Sequence, residues 1–542
     1  MPRTLWLPAL LLALLWLLPM GAHNLFDPDE GRYAEIPRVM VATGDWVTPR
    51  LDGLKYFEKP ALQYWATAIS YEVLGVNEWS ARLFSALCAL ASVALTFWMG
   101  LRLYGARAAG YAALVLFGSV LFAGVGRLVT LDMPLSFGLQ LCLSGLLLLV
   151  LPAPALRDQR VGATLLALGL VVALLAKGLV GLLIPLTVAG MYWLLWRDWS
   201  LLWRARPWWS LLALALLAAP WFVVVSLRNP EFAHFFFIHE HFERYLTTEH
   251  HRYEPDWFFI PVLLGGFLPF TTLLPGALAG GWRAARGGSR PATLLLLWAG
   301  FILLFFSLSQ SKLVPYVLPL WPALALLCGR HLEQLAPAGL ARHLLVVLVL
   351  AALLLAALLG ISLLPAGAPL VAKAGSGAVR WILIAAVGLA AGLAAAWWLA
   401  RRSLGVAAVA CAAVASSLFI QGLLQGGEKL PGRAGIPEMA RAVAPYLQAD
   451  TPVYCVEDYL QTVNFYLRRN CSLVRYRGEL DFGLNLQPSA WLPDTRTFAD
   501  EWRKGGQALA LMPPDSYARL TKQQLPMRVI YTSPIVVAVL RQ

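Results

Sequence analysis

Long apolar runs separated by short polar stretches dominate the first 424 residues. Scoring runs of about 17–25 residues, the length that crosses a bilayer as a helix, predicts spans near 5–22, 81–101, 108–126, 133–151, 161–176, 178–196, 209–227, 257–279, 292–307, 317–329, 343–364, 379–400 and 405–424. The runs are rich in Leu and Ala and lack the closely spaced turn signals of a barrel, so helices are expected to satisfy the backbone. Pro315, Pro319 and Pro322 interrupt the tenth span and blur its ends. Leu62–Leu74, with Tyr64, Trp65 and Tyr71, is too short and polar to cross and reads as an amphipathic helix at the interface.

After Leu424 the period changes. Short β-rich runs at Thr451–Val456, Ala508–Met512 and Pro534–Leu540 alternate with amphipathic stretches at Ile436–Leu447 and Asp458–Arg468, the pattern of a small α/β domain. The expected architecture is a polytopic α-helical membrane domain over 1–424, with about thirteen crossings, followed by a soluble α/β domain over 425–542.

Composition agrees with a membrane protein: 59% of residues are hydrophobic and 13% charged. The net charge of +13 is no nucleic-acid footprint, since the arginines tip short loops and no zinc-finger, P-loop, dinucleotide or RNA-binding signature accompanies them. Arg102 and Arg107, Arg157 and Arg160, Arg197, Arg204 and Arg206, Arg283, Arg286 and Arg290, Arg330 and Arg342, and Arg401 and Arg402 fall in one set of loops. By the positive-inside rule that set is cytoplasmic, which puts the N-terminus inside and the acidic loops and C-terminal domain outside. Read instead as a signal peptide, segment 1–22 would still leave the following loop outside. Cys88, Cys142, Cys328 and Cys411 lie in spans, whereas Cys455 and Cys471 share the external domain, where an oxidising compartment favours a disulfide.

The candidate chemistry lies at the external ends of the spans. The first external loop, 23–80, holds Asp27, Asp29, Glu30, Arg32, Tyr33, Tyr56, Glu58 and Lys59. Asp132 follows the third span, Lys177 ends the fifth, and Lys312 and Tyr316 precede or open the tenth. The fourth external loop, 228–256, carries five of the eight histidines, His239 among them, together with Glu240 and Arg244. Each charge alone reads as a solvated anchor or a helix cap. Their convergence at one membrane depth, where charges are costly unless paired or useful, points to a site.

The run Asp27-Pro-Asp-Glu-Gly-Arg-Tyr-Ala-Glu-Ile-Pro-Arg, then Thr43-Gly-Asp-Trp, Tyr56-Phe-Glu-Lys-Pro and Tyr64-Trp65, resembles the first periplasmic loop of bacterial lipid A aminoarabinose transferases. Those enzymes are GT-C membrane glycosyltransferases related to protein O-mannosyltransferases. The resemblance continues through Arg127–Pro134, Ala176-Lys-Gly, Phe236–Tyr245 with Glu249-His-His-Arg, and Ser311–Pro319. It implies transfer of 4-amino-4-deoxy-L-arabinose from undecaprenyl phosphate to lipid A phosphates on the periplasmic side of the bacterial inner membrane, by inverting displacement, lowering lipid A charge and with it sensitivity to cationic peptides.

Nucleotide sugars stay in the cytoplasm, so a transferase on the outer face needs a membrane-borne donor, and fixed cations suit its departing phosphate. Lys59 and Arg244 are assigned to that phosphate, with Arg32, Lys177, Lys312 and Tyr316 supporting, and Tyr33 and Tyr56 are further substrate-binding candidates. Asp29 is the first catalytic carboxylate, Asp132 the second and Glu30 the reserve. Asp29 either removes or positions a proton, or binds the amino group and cationic ring of the sugar; the residues leave both roles open. No cofactor is required, and Glu58 and His239 are the candidate ligands of a structural divalent metal such as zinc. Two other readings stay in view: transfer of another polyprenyl-linked sugar to protein or glycan, and a lipid-linked sugar flippase, which would carry mid-membrane charges and inverted repeats.

Overall fold

The computed structural model describes residues 6–243, 254–364, 375–430 and 435–541. Among them eight helices are long and apolar enough to cross a membrane: Glu78–Leu103, Asp132–Leu149, Leu156–Lys177, Ser200–Arg228, Arg290–Ser307, Pro337–Ser362, Ser376–Arg401 and Gly405–Glu428. The other five expected spans take different forms. Leu7–Gly21, Ala106–Gly118 and Val180–Trp196 are shorter apolar helices. The span expected at 257–279 is a pair, Phe259–Gly266 and Thr271–Arg286, bent by 110°. Pro269 lies in the break, where no backbone N–H is available to carry a helix through. The span with three prolines begins as a 3₁₀ segment, Val314–Leu320, and becomes an α-helix only over Trp321–Gln334.

Close helix packing relies on small residues. Asp132–Leu149 lies against Leu156–Lys177 with Gly145 facing Gly162, and a Cβ at Gly145 would sit 2.5 Å from the Gly162 carbonyl oxygen. Backbones approach this closely only where side chains are absent.

The first loop is structured. Helix Asp29–Thr43 leads to a two-residue hairpin, β1 (Arg50–Leu51) and β2 (Leu54–Lys55), turned by Asp52-Gly53 with φ of 53° and 76°. Asp-Gly tolerates positive φ at both positions, the requirement of the tight turn that matches strand twist. Helix Leu62–Leu74 buries Tyr64, Thr67 and Tyr71 and exposes Ile69 and Val73, as expected of a helix with one face in lipid.

The C-terminal region forms one six-stranded sheet from β3 (Val453–Val456), β4 (Ser472–Val474), β5 (Trp491–Leu492), β6 (Leu509–Met512), β7 (Met527–Thr532) and β8 (Val537–Arg541). The order is β5-β4-β3-β6-β8-β7; β8 runs antiparallel to β6 and β7, and the other pairs are parallel. Cys455 on β3 is disulfide-bonded to Cys471 at the start of β4, with their Cα atoms 5.6 Å apart. This sheet does not stand apart. Leu25, Tyr33, Ile36, Leu51 and Tyr71 of the first loop share a buried core with Met439, Val463, Phe465 and Leu473.

Candidate active site

Asp29 and Glu30 open their helix, where the N-terminal dipole favours negative charge, but their surroundings differ sharply. Glu30 is buried, and Arg82 from helix Glu78–Leu103 grips it through Nε and Nη2, both at 2.8 Å. The N–H groups of Val129 and Phe26 also donate to it, at 2.9 and 3.1 Å. Burial alone would raise this carboxyl; the Arg82 charge outweighs it and holds Glu30 below the usual carboxylate range. With both oxygens engaged, Glu30 fastens the loop to the membrane body and is not disposed as a reserve acid. The side chain of Asp29 is 55% exposed, 3.8 Å from Arg32 Nε.

Arg32 turns inward. Its Nη1 donates to Glu479 at 2.7 Å and to the Tyr56 hydroxyl at 3.2 Å, and its guanidinium lies 5.7 Å from the Tyr33 ring centre. Tyr33 and Tyr56 are both buried. Glu479 comes from the C-terminal domain; burial raises its carboxyl, Arg32 opposes this, and the charges of Glu58 and Asp29 add to the rise. Further contacts clamp the two regions. Asp27 accepts from the Thr462 N–H and hydroxyl at 2.8 and 2.6 Å, and Asp52 from the Asn464 amide and the Cys471 N–H, both at 2.6 Å. Gly31 passes so near the Gln461–Thr462 backbone that an added Cβ would fall 2.6 Å from the Thr462 nitrogen.

Beyond this clamp lies a cavity of about 540 Å³. Glu58, Lys59, Asp132, Lys177, Glu240 and Tyr316 line its polar end, and Leu135, Val180, Leu183, Leu186, Phe305 and Phe306 contribute to its apolar walls. Lys59 Nζ donates to Glu240 at 2.7 Å and to the Glu58 carbonyl at 2.7 Å. Lys177, the last residue of its helix, meets Asp132, the first residue of the next-door helix, at 2.5 Å and lies 4.3 Å from the Tyr316 ring centre. A cation at a helix C-terminus and an anion at a helix N-terminus each suit the local dipole. Leu183 and Leu186 are 46% and 61% exposed, so the apolar wall continues onto the lateral surface.

The cavity thus joins Lys59, Asp132, Lys177 and Tyr316, whereas Asp29, Arg32, Tyr33 and Tyr56 do not line it and belong to the clamp. Lys312 is buried, donating to the Glu254 carbonyl at 2.8 Å with Asp256 at 3.5 Å; its neighbours Ser309 and Ser311 line the cavity. Arg244 lies outside the described residues. His239 stacks on Phe235 at 5.1 Å, which in turn stacks on Phe482 of the C-terminal domain at 4.0 Å. Among the described residues no three His, Cys, Asp or Glu side chains come together as metal ligands. Sequence reading missed Arg82, Glu479 and the role of Glu240 as partner of Lys59. An arginine inside an otherwise apolar span was the one available signal, and it pointed to Arg82.

Residues 4–236 match the family model of dolichyl-phosphate-mannose-protein mannosyltransferases, and residues 439–541 that of the aminoarabinose transferase C-terminal domain. Relatives named undecaprenyl phosphate-alpha-4-amino-4-deoxy-L-arabinose arabinosyl transferase include one from Aeromonas salmonicida, 37% identical over 341 residues, with 62% of both chains covered. Another, from Pseudomonas aeruginosa, is 37% identical over 322 residues, covering 59% of this chain and 58% of its own. The chain therefore spans less than two thirds of these curated relatives in alignment. The fold superposes on the crystal structure of ArnT from Cupriavidus metallidurans bound to undecaprenyl phosphate with a TM-score of 0.91 and 34% identity, covering 100% of this chain and 99% of that one. The oligosaccharyltransferase AglB from Archaeoglobus fulgidus, 12% identical with a TM-score of 0.51 over 94% of this chain and 69% of that one, shares the fold alone. On the full-length match at 34% identity and the two family models together, this chain belongs to the aminoarabinose transferase family of GT-C membrane glycosyltransferases.

Proposed function

We propose that the protein transfers 4-amino-4-deoxy-L-arabinose from undecaprenyl phosphate to phosphate groups of lipid A at the periplasmic face of the inner membrane. The observation that carries this reading is the cavity, whose lysines sit at the head of a groove walled by leucine, valine and phenylalanine and open at its side. An amphiphile with an anionic head and a long isoprenoid tail fits that division. The C. metallidurans relative binds undecaprenyl phosphate, which supports a donor of that class. The accompanying topology is thirteen crossings, with the arginine-rich loops cytoplasmic and the Lys59 cavity and C-terminal domain periplasmic.

In this mechanism Lys59 and Lys177 hold the donor phosphate with Tyr316 beside them, and Arg244 and Lys312 are supporting cations. Asp132 fixes Lys177 by its ion pair, and Arg32 holds the buried Tyr33 and Tyr56 in place. A phosphate oxygen of the acceptor attacks the anomeric carbon, the bond from that carbon to the donor phosphate oxygen breaks, and the electron pair leaves with undecaprenyl phosphate. Displacement at one face inverts the anomeric centre. An ionised acceptor phosphate needs no proton removed, so Asp29 acts on the sugar, facing its ammonium and the positive charge developing on the ring. The cations meet charge that grows on the leaving phosphate, the kind of fixed electrostatic stabilisation that lowers a barrier most.

The test supplies purified protein with undecaprenyl-phosphate aminoarabinose and lipid A and follows the lipid A mass. Transfer by the wild type, its loss in Asp29→Asn with donor affinity retained, and weakened donor binding in Lys59→Ala are expected. Equal turnover by Asp29→Asn removes that carboxylate from the mechanism, and absence of transfer by the wild type with both lipids bound rejects the reaction.

A further inference from the structure

A second cavity, of about 430 Å³, lies at the far end of the membrane body. Helix Arg290–Ser307 connects the two: Ala292 borders this cavity and Phe305 the Lys59 cavity, roughly 20 Å apart at 1.5 Å per residue. The two cavities therefore belong to opposite faces of the bilayer.

Cations and dipole converge here. Arg283, Arg330 and His331 line the cavity, no carboxylate does, and the N-terminus of the 18-residue helix Arg290–Ser307 opens beside them, capped by Ser289. Ser289 takes the Ala292 N–H and Pro291 has none, so the terminus contributes the positive end of the helix dipole. Arg330 pairs through Nη1 with Glu333 at 2.5 Å, has the Gln334 amide 3.2 Å from Nη2 and lies 5.7 Å from the Tyr104 ring centre; no acid among the described residues pairs with Arg283. The His331 ring fills the place a side chain would take at Gly276, where a Cβ would sit 2.5 Å from Nε2. Ala277, Gly280 and Ala284 leave the rest of the volume empty, and a Cβ at Gly280 meets nothing within 4 Å. On the same helix Trp282 is 55% exposed with Arg286 5.0 Å from its ring, an arrangement that anchors at the headgroup layer.

We propose that this cavity binds the phosphate of an anionic phospholipid from the leaflet opposite the Lys59 cavity. Two guanidinium groups match phosphate oxygens in geometry as well as charge. The alanine, glycine and leucine walls receive the glycerol and first methylenes. Basic pockets between transmembrane helices at the cytoplasmic side hold anionic headgroups for these reasons. A choline headgroup brings its own cation toward Arg283 and Arg330 and is disfavoured. The site is independent of the transferase reading, since it uses no residue of the Lys59 cavity.

The full-length protein in mild detergent is offered phosphatidylglycerol or phosphatidylcholine, and retained lipid is counted by native mass spectrometry. The wild type is expected to keep one phosphatidylglycerol and to discriminate against phosphatidylcholine. Arg283→Ala/Arg330→Ala removes the charges; Gly280→Leu fills the space and leaves every charge in place. Each is expected to lower phosphatidylglycerol retention about tenfold or more, the value of one charged hydrogen bond. Arg286→Ala, outside the cavity, is expected to retain it. Undiminished retention in both cavity variants, equal retention of phosphatidylcholine, or displacement of the lipid by millimolar inorganic phosphate each overturns the proposal, the last by making this an ion site.

Discussion

The clamp between the first loop and the C-terminal domain and the Lys59 cavity both gather charged side chains from segments far apart in sequence. Under the clamp, where the first loop is fastened to the membrane body, Arg82 is fully buried and donates to Glu30 and to the carbonyls of Met20, His23 and Asn24, so the pair is closed on every side. In the cavity Lys59, Lys177 and Asp132 keep 12–16% side-chain exposure beside an unfilled volume. Burial and pairing of charge are thus common to both regions, and space next to the charge is what separates them. A saturated buried pair holds structure. A pair at the edge of a void can exchange a carboxylate partner for an entering phosphate.

The sharpest way to break this comparison is to remove one cation from each region. Arg82→Ala leaves Glu30 buried without its counter-charge, and breaking such a pair costs on the order of 3–5 kcal/mol. A large fall in Tm in detergent is expected, with donor binding lost only as the fold is lost. Lys177→Ala leaves Asp132 beside a cavity that water enters, so Tm should stay near the wild-type value. Transfer should fall roughly 10²–10³-fold, the usual consequence of deleting one fixed group that stabilises transition-state charge. Comparable melting losses in the two variants would make the cavity pair structural and dissolve the distinction.

Why one region was legible and the other was not follows from the same contrast. Asp132, Lys177 and Tyr316 are at span ends and Lys59 is in the long first loop, and the hydropathy pattern with the arginine bias assigns those ends and that loop to one side. Arg82, Glu479 and Thr462 act through tertiary pairing across 52 to more than 400 residues, which no local pattern encodes. The apolar runs were visible, but a hydropathy window averages over backbone breaks. The 110° bend at Phe267–Phe270 therefore read as one continuous span, although Gly265, Gly266 and Pro269 stand in it. The Asp52-Gly53 turn shows the opposite case, local chemistry strong enough to set a hairpin by itself.

The covalent tie within the C-terminal sheet gives a prediction of intermediate size. Cys455 and Cys471 are 16 residues apart, a loop whose closure stabilises by about 3 kcal/mol in the chain-entropy account. Cys471→Ser, or mild reductant, should lower the melting of the C-terminal sheet by that order while the membrane helices stay folded, as followed by limited proteolysis. Unchanged protection of residues 439–541 would show that the shared core with Tyr33 and Tyr71 suffices.

The smallest effect probes dryness directly. Asp52 is buried with one oxygen, Oδ1, accepting from Asn464 and Cys471, and with Oδ2 unpartnered. Burial pushes its carboxyl up to about 7 against these two hydrogen bonds, and the neighbouring Glu35 adds to the rise. An unfolded aspartate releases its proton near pH 3.9. Between that value and about 7 the folded chain keeps a proton the unfolded chain has lost, so this group's contribution is full below about pH 4 and is lost as the pH rises through the folded value. Asp52→Asn retains the Oδ1 acceptor and carries no charge to desolvate. It should melt above the wild type at pH 8, and the gap should close as the pH falls toward 4. A gap for Asp52→Asn that is independent of pH would mean that water reaches Oδ2, and the clamp would then differ from the cavity in geometry but not in solvation.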